Sequence, residues 1–294
     1  ASSLTIGPPD VPFARGTTLT IPIVVTLDRP TKVRGIRARF QGGEETKAVY
    51  TRTSTDSKGN VTTSYHTAVE VQEVAMQEYQ LAGGPALGFF GNLTDGLATL
   101  VGSGKHELLE AGEHRFEVTV TIPGDAPPTH AGQKSRVFYE LSAVVDIPLA
   151  SDLTALASFE LPPLPQDPLP PGSVRVSYPD EQAAGLFNRM LTPDVRVELA
   201  LLADRFQVGE PIEGMIAVEC QKPLNCSAVK GRLVGVETSQ AHQHRDQYEH
   251  LGPELVLDRP GMIEDTYSCR FSLPAQADGP ISAVGQRFSI NWFV

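Results

Sequence analysis

Apolar and polar residues alternate strictly over long stretches of the first half of the chain. Thr18–Leu27 carries an aliphatic side chain at every second position, and Val33–Phe40 sets Ile36, Ala38 and Phe40 against outward-pointing Arg37 and Arg39. A period of two is typical of a β-strand with one buried face. The same pattern predicts further strands at Tyr50–Thr55, Val61–Glu70, Phe116–Ile122 and Ser135–Asp146. The turn residues Asp56–Asn60 contain a glycine, so the strands on either side of them are predicted to pair as a hairpin.

The second half of the chain repeats the first. Gly16, Pro30 and Glu44 recur as Gly209, Pro223 and Glu237, each shifted by 193 positions. An internal repeat of this length indicates two copies of one domain. The repeat predicts strands at Val195–Ala203, Pro211–Cys220, Val229–Glu237, Thr266–Leu273 and Gln286–Val294, with Trp292 in the place of Tyr139.

The predicted fold class is all-β, with two tandem immunoglobulin-like antiparallel sandwiches, because short strands alternate with turn residues throughout. We predict a first domain at residues 1–165, a proline-rich linker at 166–172 and a second domain at 173–294. The chain stops two residues after Trp292, whereas about 20 residues with strand character follow Tyr139. We therefore expect the second domain to lack its last strand, and an unfilled sheet edge there invites a homodimer.

One segment departs from the alternating pattern. Leu87, Phe90, Leu93 and Leu97 lie at helical spacing within residues 85–102, although four glycines weaken the prediction of a helix. We favour a short amphipathic helix packed on a sheet. The alternative is a segment that docks on a membrane or a partner through Leu87, Phe89, Phe90 and Leu93.

Charge and composition exclude several classes of function. The formal net charge is −11, which argues against binding of nucleic acid through overall charge. The three cysteines form no CxxC pair, and Cys220 and Cys226 replace the apolar residues of the first copy. They are predicted to be core thiols in a reducing compartment. With no apolar run long enough to cross a bilayer, we expect a cytoplasmic protein, either fully in solution or peripheral to membranes.

Motifs of catalysis are absent from the sequence. There is no nucleophile elbow, phosphate-binding loop, dinucleotide fingerprint or HExxH helix, so we predict a protein that is not an enzyme and needs no cofactor. The weak candidate for a metal site is residues 242–250, where His242 and His244 could project from one face of a strand. This segment is wholly polar and falls where the repeat predicts a hairpin tip. A solvated loop is therefore favoured over a metal-dependent enzyme.

Basic residues cluster in spite of the negative net charge. Alternation places Arg37, Arg39, Lys230 and Arg232 at matched or neighbouring strand positions of the two copies, on the face opposite the core, and Arg34 belongs to the same basic run. Arginine forms bidentate contacts with carboxylates and phosphates, so this face could bind an acidic or phosphorylated tail of a partner protein. The alternative is that the five side chains pair with nearby Asp and Glu.

Several runs resemble the arrestin superfamily. They include the Gly-Glu-x-Ile-x-Gly strand opening at Gly209–Gly214, the second-strand run Lys32–Gly42, the sequences Ala111–Phe116 and Arg136–Tyr139, and Phe288–Phe293. The likeness covers nearly the whole chain and is one of pattern. It departs from the family at Thr20-Ile21-Pro22, where a second glycine is usual. Neither a polar core of Asp and Arg nor a Pro-Pro-x-Tyr motif can be placed.

The resemblance implies two tandem sandwiches, each with seven or eight strands and a concave side. A bacterial member and an α-arrestin-type member are the alternatives. Members of the superfamily act as adaptors and scaffolds in trafficking and signalling, so we expect a protein that binds segments of other proteins through a concave basic face or a sheet edge. Peripheral membrane binding through Leu87–Val101 is the alternative function.

Overall fold

The computed structural model describes residues 1–83, 107–163, 172–178, 195–207, 209–275 and 282–294. In these ranges the chain forms β-strands and no helix. The strands of the first half are β1 (Ser3–Ile6), β2 (Thr18–Leu27), β3 (Thr31–Val33), β4 (Gly35–Thr55), β5 (Val61–Gly83), β6 (Glu107–Leu109), β7 (Gly112–Thr121), β8 (His130–Ala131), β9 (Ser135–Asp146) and β10 (Leu153–Phe159).

The second half is built in the same way. Its strands are β11 (Val174–Tyr178), β12 (Val195–Leu201), β13 (Pro211–Cys220), β14 (Leu224–Cys226), β15 (Val229–Gly231), β16 (Val234–Ala241), β17 (His244–Leu251), β18 (Leu255–Asp258), β19 (Gly261–Ile263), β20 (Thr266–Pro274), β21 (Ala283–Val284) and β22 (Phe288–Phe293). The chain divides into two compact units. Unit 1 comprises Ala1–Leu164 with Gln240–His244, and unit 2 comprises Pro165–Ser239 with Arg245–Val294.

Unit 1 is a sandwich of two antiparallel sheets. One sheet has the strand order β1-β2-β7, and the other has the order β10-β9-β4-β5, with β8 paired to β9. The alternating positions predicted to point inward are buried in both sheets, among them Ile21 and Ile23 in β2 and Ile36, Ala38 and Phe40 in β4. Phe13 precedes β2 and closes an aromatic cluster with Phe40, Tyr139 and Phe159.

Unit 2 repeats this architecture with sheets of order β11-β12-β13-β20 and β17-β16-β22-β21. Two short ladders, β14-β19 and β15-β18, accompany them. Its main core cluster consists of Ile212, Leu233, Phe271, Leu273 and Ala275, with Trp292 packed against it. Cys220 is buried in a second cluster, as predicted, while Cys226 is half-buried beside it.

Most of the predicted strands are confirmed, although those predicted separately at Val33–Phe40 and Tyr50–Thr55 fall largely within one continuous strand, β4. β2, β9 and β13 begin and end at the predicted residues, and the hairpin of β4 and β5 pairs Tyr50 with His66 and Thr55 with Val61. The single strand predicted at Val229–Glu237 is wrong. Residues up to Gly231 pair with β18, whereas residues from Val234 onwards pair with β22. The segment therefore forms two strands, β15 and β16, with different neighbours. The predicted helix at residues 85–102 lies outside the described residues.

The repeat extends to a pair of buried features in β4 and β16. Gly42 pairs with Tyr139 and Gly235 pairs with Trp292, so the aromatic residues match as predicted. A methyl group at Gly42 would lie 2.6 Å from Cδ1 of Tyr139, and one at Gly235 would lie 2.7 Å from Cη2 of Trp292. In each unit, therefore, an aromatic ring fills the space over a glycine of the neighbouring strand.

Candidate functional site

The outer face of the β10-β9-β4-β5 sheet holds three of the predicted site residues. Arg37 and Arg39 alternate along β4 with the buried Ile36, Ala38 and Phe40, and Arg34 immediately precedes the strand. This places the side chains of Arg37 and Arg39 on the face opposite the core, as the period of two predicts, and Arg34 joins them through Asp146. We call Arg34, Arg37 and Arg39 the arginine cluster.

Two members of the arginine cluster share one carboxylate. Nε of Arg34 lies 3.2 Å from Oδ1 of Asp146, and Nη2 of Arg37 lies 3.3 Å from Oδ2 of the same residue. The backbone holds the arrangement, because the amide of Arg34 donates a 2.8 Å hydrogen bond to the carbonyl of Asp146. Nε of Arg39 lies 3.9 Å from Oε1 of Glu78. The carboxylates of Asp146 and Glu78 therefore both lie within ion-pair distance of the arginine cluster.

An apolar side chain lies in the same row of the sheet as Arg39. Leu156 of β10 pairs with Ser142 of β9, Ser142 pairs with Arg39 of β4, and Arg39 pairs with Glu78 of β5. Leu156 is 64% exposed. Residues directly opposite across strands lie on one face of a sheet, so Leu156 shares the face of Arg39 with Ser142 between them, and the Arg39 side chain is 15% exposed.

The two predicted basic residues of the second copy lie in unit 2. Lys230 of β15 forms a 2.7 Å ion pair with Glu254, and that hydrogen bond is the main cause that lowers the pKa of the Glu254 carboxyl. Arg232 is exposed in the gap between β15 and β16, and its charge also lowers the pKa of Glu254. The pairing with local acids that the sequence left open is therefore present at Lys230, while partner binding by these residues stays a prediction.

The weak metal candidates lie in unit 1. His242 has a positive φ of 54° at the turn after β16, and its amide donates a hydrogen bond to the carboxylate of Glu70. His244 instead stacks on Tyr50 with ring centroids 3.8 Å apart. Among the described residues, no group of three or more His, Cys, Asp or Glu side chains is arranged to hold a metal ion.

The proposed docking residues Leu87, Phe89, Phe90 and Leu93 lie outside the described residues, so membrane contact stays a prediction. In the described part of the chain, no helix is long and apolar enough to span a bilayer.

Two buried acidic residues are not among the predicted site residues. Glu44 and Glu237, used only as markers of the repeat, are 2% and 0% exposed. Glu237 lies 3.1 Å from Nε2 of His250, a nearly buried partner on β17. The alternating pattern could have revealed Glu44. It lies an even number of residues from Ile36 and Phe40, which places its side chain on the inner face of β4 with theirs.

Comparison with known proteins identifies the fold. The family model of the arrestin (or S-antigen) N-terminal domain matches residues 3–161, which cover all of the strands β1–β10. The chain belongs to the arrestin family. Because the family is generally non-enzymatic, this arrestin-family protein is an adaptor or scaffold type of protein. No curated protein matches it in sequence.

The arrestin-family chain also matches a solved structure, the sporulation control protein Spo0M from Bacillus subtilis. The two are 13% identical, and the match covers 74% of this chain and 78% of that chain with a TM-score of 0.30. A likeness at this level supports no statement about partners or mechanism.

Proposed function

We propose that this arrestin-family protein is a cytoplasmic adaptor whose unit 1 binds an acidic segment of a partner protein on the outer face of β4 and β9, in trafficking or signalling. The observation that carries the proposal is the arginine cluster, in which Arg34 and Arg37 share the single carboxylate of Asp146. Three arginines therefore lie together on this face in a protein of net charge −11.

The existing ion pairs do not oppose this function. Ion pairs on a surface contribute about 0–1 kcal/mol each, and Arg34 remains 41% exposed. A carboxylate or phosphate of a ligand can therefore reach Arg34 while Asp146, 18% exposed, stays paired with the less exposed Arg37. Meanwhile Asp146 holds the two guanidinium groups close together, which reduces the entropy that a ligand must overcome to order them.

The chemistry of the ligand can be inferred from the row formed by Leu156, Ser142 and Arg39. An acidic segment with one aliphatic or aromatic side chain could contact the arginine cluster and Leu156 together. Arginine recognises carboxylate and phosphate by the same fork of N–H donors, so unphosphorylated and phosphorylated forms of such a segment are the two cases to compare.

The test is a binding titration followed by fluorescence anisotropy. The labelled peptide carries six glutamates around one leucine and one serine, and it is measured with the serine unmodified and phosphorylated. We expect Arg37→Glu/Arg39→Glu to weaken binding at least tenfold. The matched control is Arg115→Glu, because Arg115 is an exposed arginine on β7 paired to Glu113. Affinity capture from native lysate with the same variants then identifies the natural partner.

Equal binding by the double variant and the Arg115→Glu control would refute the proposal. Because charge reversal beside Asp146 and Glu78 could disturb the sheet, Arg37→Gln/Arg39→Gln is measured in parallel. Thermal melting of each variant shows whether a lost interaction reflects a lost fold.

A further inference from the structure

The hairpin of β4 and β5 extends well beyond the rest of its sheet. β9 pairs with β4 only as far as Thr46, whereas β4 and β5 stay paired as far as Thr55 and Val61. We call residues 48–69 the hairpin arm. Within the described residues of unit 1, β5 is the end of its sheet, and the two strands of the arm pair only with each other, with His244 stacked on Tyr50.

The tip of the arm is ordered by its own side chains. Asp56 accepts hydrogen bonds from the amides of Lys58 and Asn60, at 2.8 and 2.9 Å, and from Nδ2 of Asn60. Gly59 takes a φ of +83°, which a glycine adopts without strain. The arm is therefore a defined ribbon, and binding along it needs little further ordering.

The backbone edge of β7 is covered by side chains of β5, whereas the outer edge of the arm in β5 has no such cover among the described residues of unit 1. Gln77 bonds both the amide and the carbonyl of Thr121 through its side chain, and the hydroxyl of Tyr79 donates to the carbonyl of Thr119. These contacts occupy the polar groups of β7 that another strand would use. In the described part of unit 1, no strand other than β4 pairs with β5, and an uncovered edge invites another strand.

One face of the arm carries no charge along its four outermost cross-strand pairs. These pairs are Val49–Thr67, Thr51–Tyr65, Thr53–Thr63 and Thr55–Val61, and Val69 continues the row opposite Lys47. All of them are exposed, with Tyr65 at 78% and Val61 at 65%. Threonine, valine and tyrosine have high β-propensity, so this face combines exposed apolar area with residues suited to a sheet.

We propose that a second copy of the chain binds the arm, with the β5 strands of the two copies pairing antiparallel about a twofold axis at Tyr65. This register places Val61 opposite Val69 and Thr63 opposite Thr67 of the second copy. The two Tyr65 side chains meet at the axis. Cross-strand aromatic and β-branched pairs are the favourable ones in antiparallel sheets.

The distribution of charged residues along β5 favours a second copy of the chain in this register. A copy with net charge −11 repels another copy, so association requires a contact surface without like charges, and residues 61–69 of β5 contain none. Beyond this ladder, the register brings the turn of one copy, with the exposed Lys58, beside Gln72 and the exposed Glu73 of the other. The twofold axis produces this complementary contact twice.

The size of the surface sets the expected strength. A stable interface buries about 800 Å² on each partner through 20–30 residues, and the nine residues of the ladder with their neighbours fall short of that. We therefore expect a dissociation constant of tens to hundreds of micromolar, measured by sedimentation velocity on the full chain from about 5 to 500 µM.

A charge exchange at Thr63 and Thr67 tests the register. Both residues are exposed on the uncharged face and face each other across the proposed interface. Thr63→Lys/Thr67→Lys sets two lysine pairs opposite one another and should weaken dimerisation at least tenfold. Thr63→Lys/Thr67→Glu creates two Lys–Glu pairs and should dimerise within about threefold of the original chain. Both variants change the same two positions, so each is the control for the other's fold.

Three results would overturn the proposal. One is a chain that remains monomeric at 500 µM, which would leave the edge to a strand of another protein. Another is undiminished dimerisation of the Lys/Lys variant. The third is equal weakening of the two double variants, which excludes this register. Arg37→Glu/Arg39→Glu, measured at about 150 mM NaCl to screen its added negative charge, should still dimerise, so failure of the acidic-segment proposal is distinguishable from failure of this one.

Discussion

Tyr139 is the side chain on which several features of unit 1 converge. Its ring covers Gly42 and packs against Phe13, and its hydroxyl donates a 2.7 Å hydrogen bond to the carbonyl of Pro127. Burial raises the pKa of Tyr139 to about 12, with Asp125 acting in the same direction and Arg15 opposing it. The neutral phenol is thus the form that the folded unit requires.

This shift predicts a loss of stability in alkali. The unfolded chain releases the phenolic proton near pH 10 and the folded chain near 12. The contribution is therefore complete below pH 10 and is lost as the pH rises towards 12. Tyr139→Phe should reduce this pH dependence, and at pH 7 it should cost about 1 kcal/mol for the lost hydrogen bond. Urea unfolding at pH 7, 10 and 11.5 measures both effects, and an unchanged alkaline slope in Tyr139→Phe would contradict the prediction.

At the scale of the element, the two glycine–aromatic pairs give β4 and β16 their common geometry. A side chain at Gly42 or Gly235 would overlap the ring that lies across the strand. Close packing of this kind tolerates an added methyl group poorly, because the ring must leave its rotamer or the strands must separate.

We predict that Gly42→Ala and Gly235→Ala each destabilise their own unit by about 1–3 kcal/mol. The chain has a single tryptophan, Trp292 of unit 2, so its fluorescence reports on one pair only. Gly235→Ala should shift the emission and lower the denaturation midpoint, whereas Gly42→Ala should leave the emission of the folded protein unchanged. Gly124→Ala is the control, since a methyl group there meets no atom within 4 Å. A neutral Gly235→Ala would contradict the account of this pair.

The strands that the sequence predicted well are those whose alternation is local. β2, β9 and β13 each bury one face, and a period of two specifies such a strand from its own residues. The division of Val229–Glu237 was missed because it depends on β18 and β22, which are distant in sequence. The site follows the same rule. Parity placed Arg37 and Arg39 outward, but their pairing with Asp146 and Glu78 depends on which strands become neighbours.

The hairpin arm shows a further limit of sequence patterns. Its pairing was predictable from turn residues, yet its extension beyond β9 depends on where another strand stops. An alternating pattern with threonine on one face is compatible with a solvated surface and with an interface alike. The distinction comes from the edge of β5, which no other described strand of unit 1 pairs with, and from the distribution of charge, and both require the arrangement of the sheet.

At the scale of the whole molecule, the net charge opposes dimerisation, while local positive charge favours binding of an acidic segment. The net charge of −11 makes two copies repel each other over a long range, while the arginine cluster attracts an acidic segment. The screening length falls from about 30 Å at 10 mM salt to about 8 Å at 150 mM. Salt over this range therefore weakens the repulsion between whole copies and also weakens the attraction at the cluster.

We therefore predict salt effects of opposite sign. Raising NaCl from about 10 to 150 mM should tighten dimerisation several-fold, because the uncharged ladder of β5 loses nothing and each Lys58–Glu73 contact is worth at most about 1 kcal/mol. The same change should weaken binding of the glutamate peptide several-fold. Sedimentation velocity and anisotropy in matched buffers measure the two constants. A dimer that dissociates as salt rises would show that charged groups hold it together, and would place the contact elsewhere than on the uncharged face of the arm.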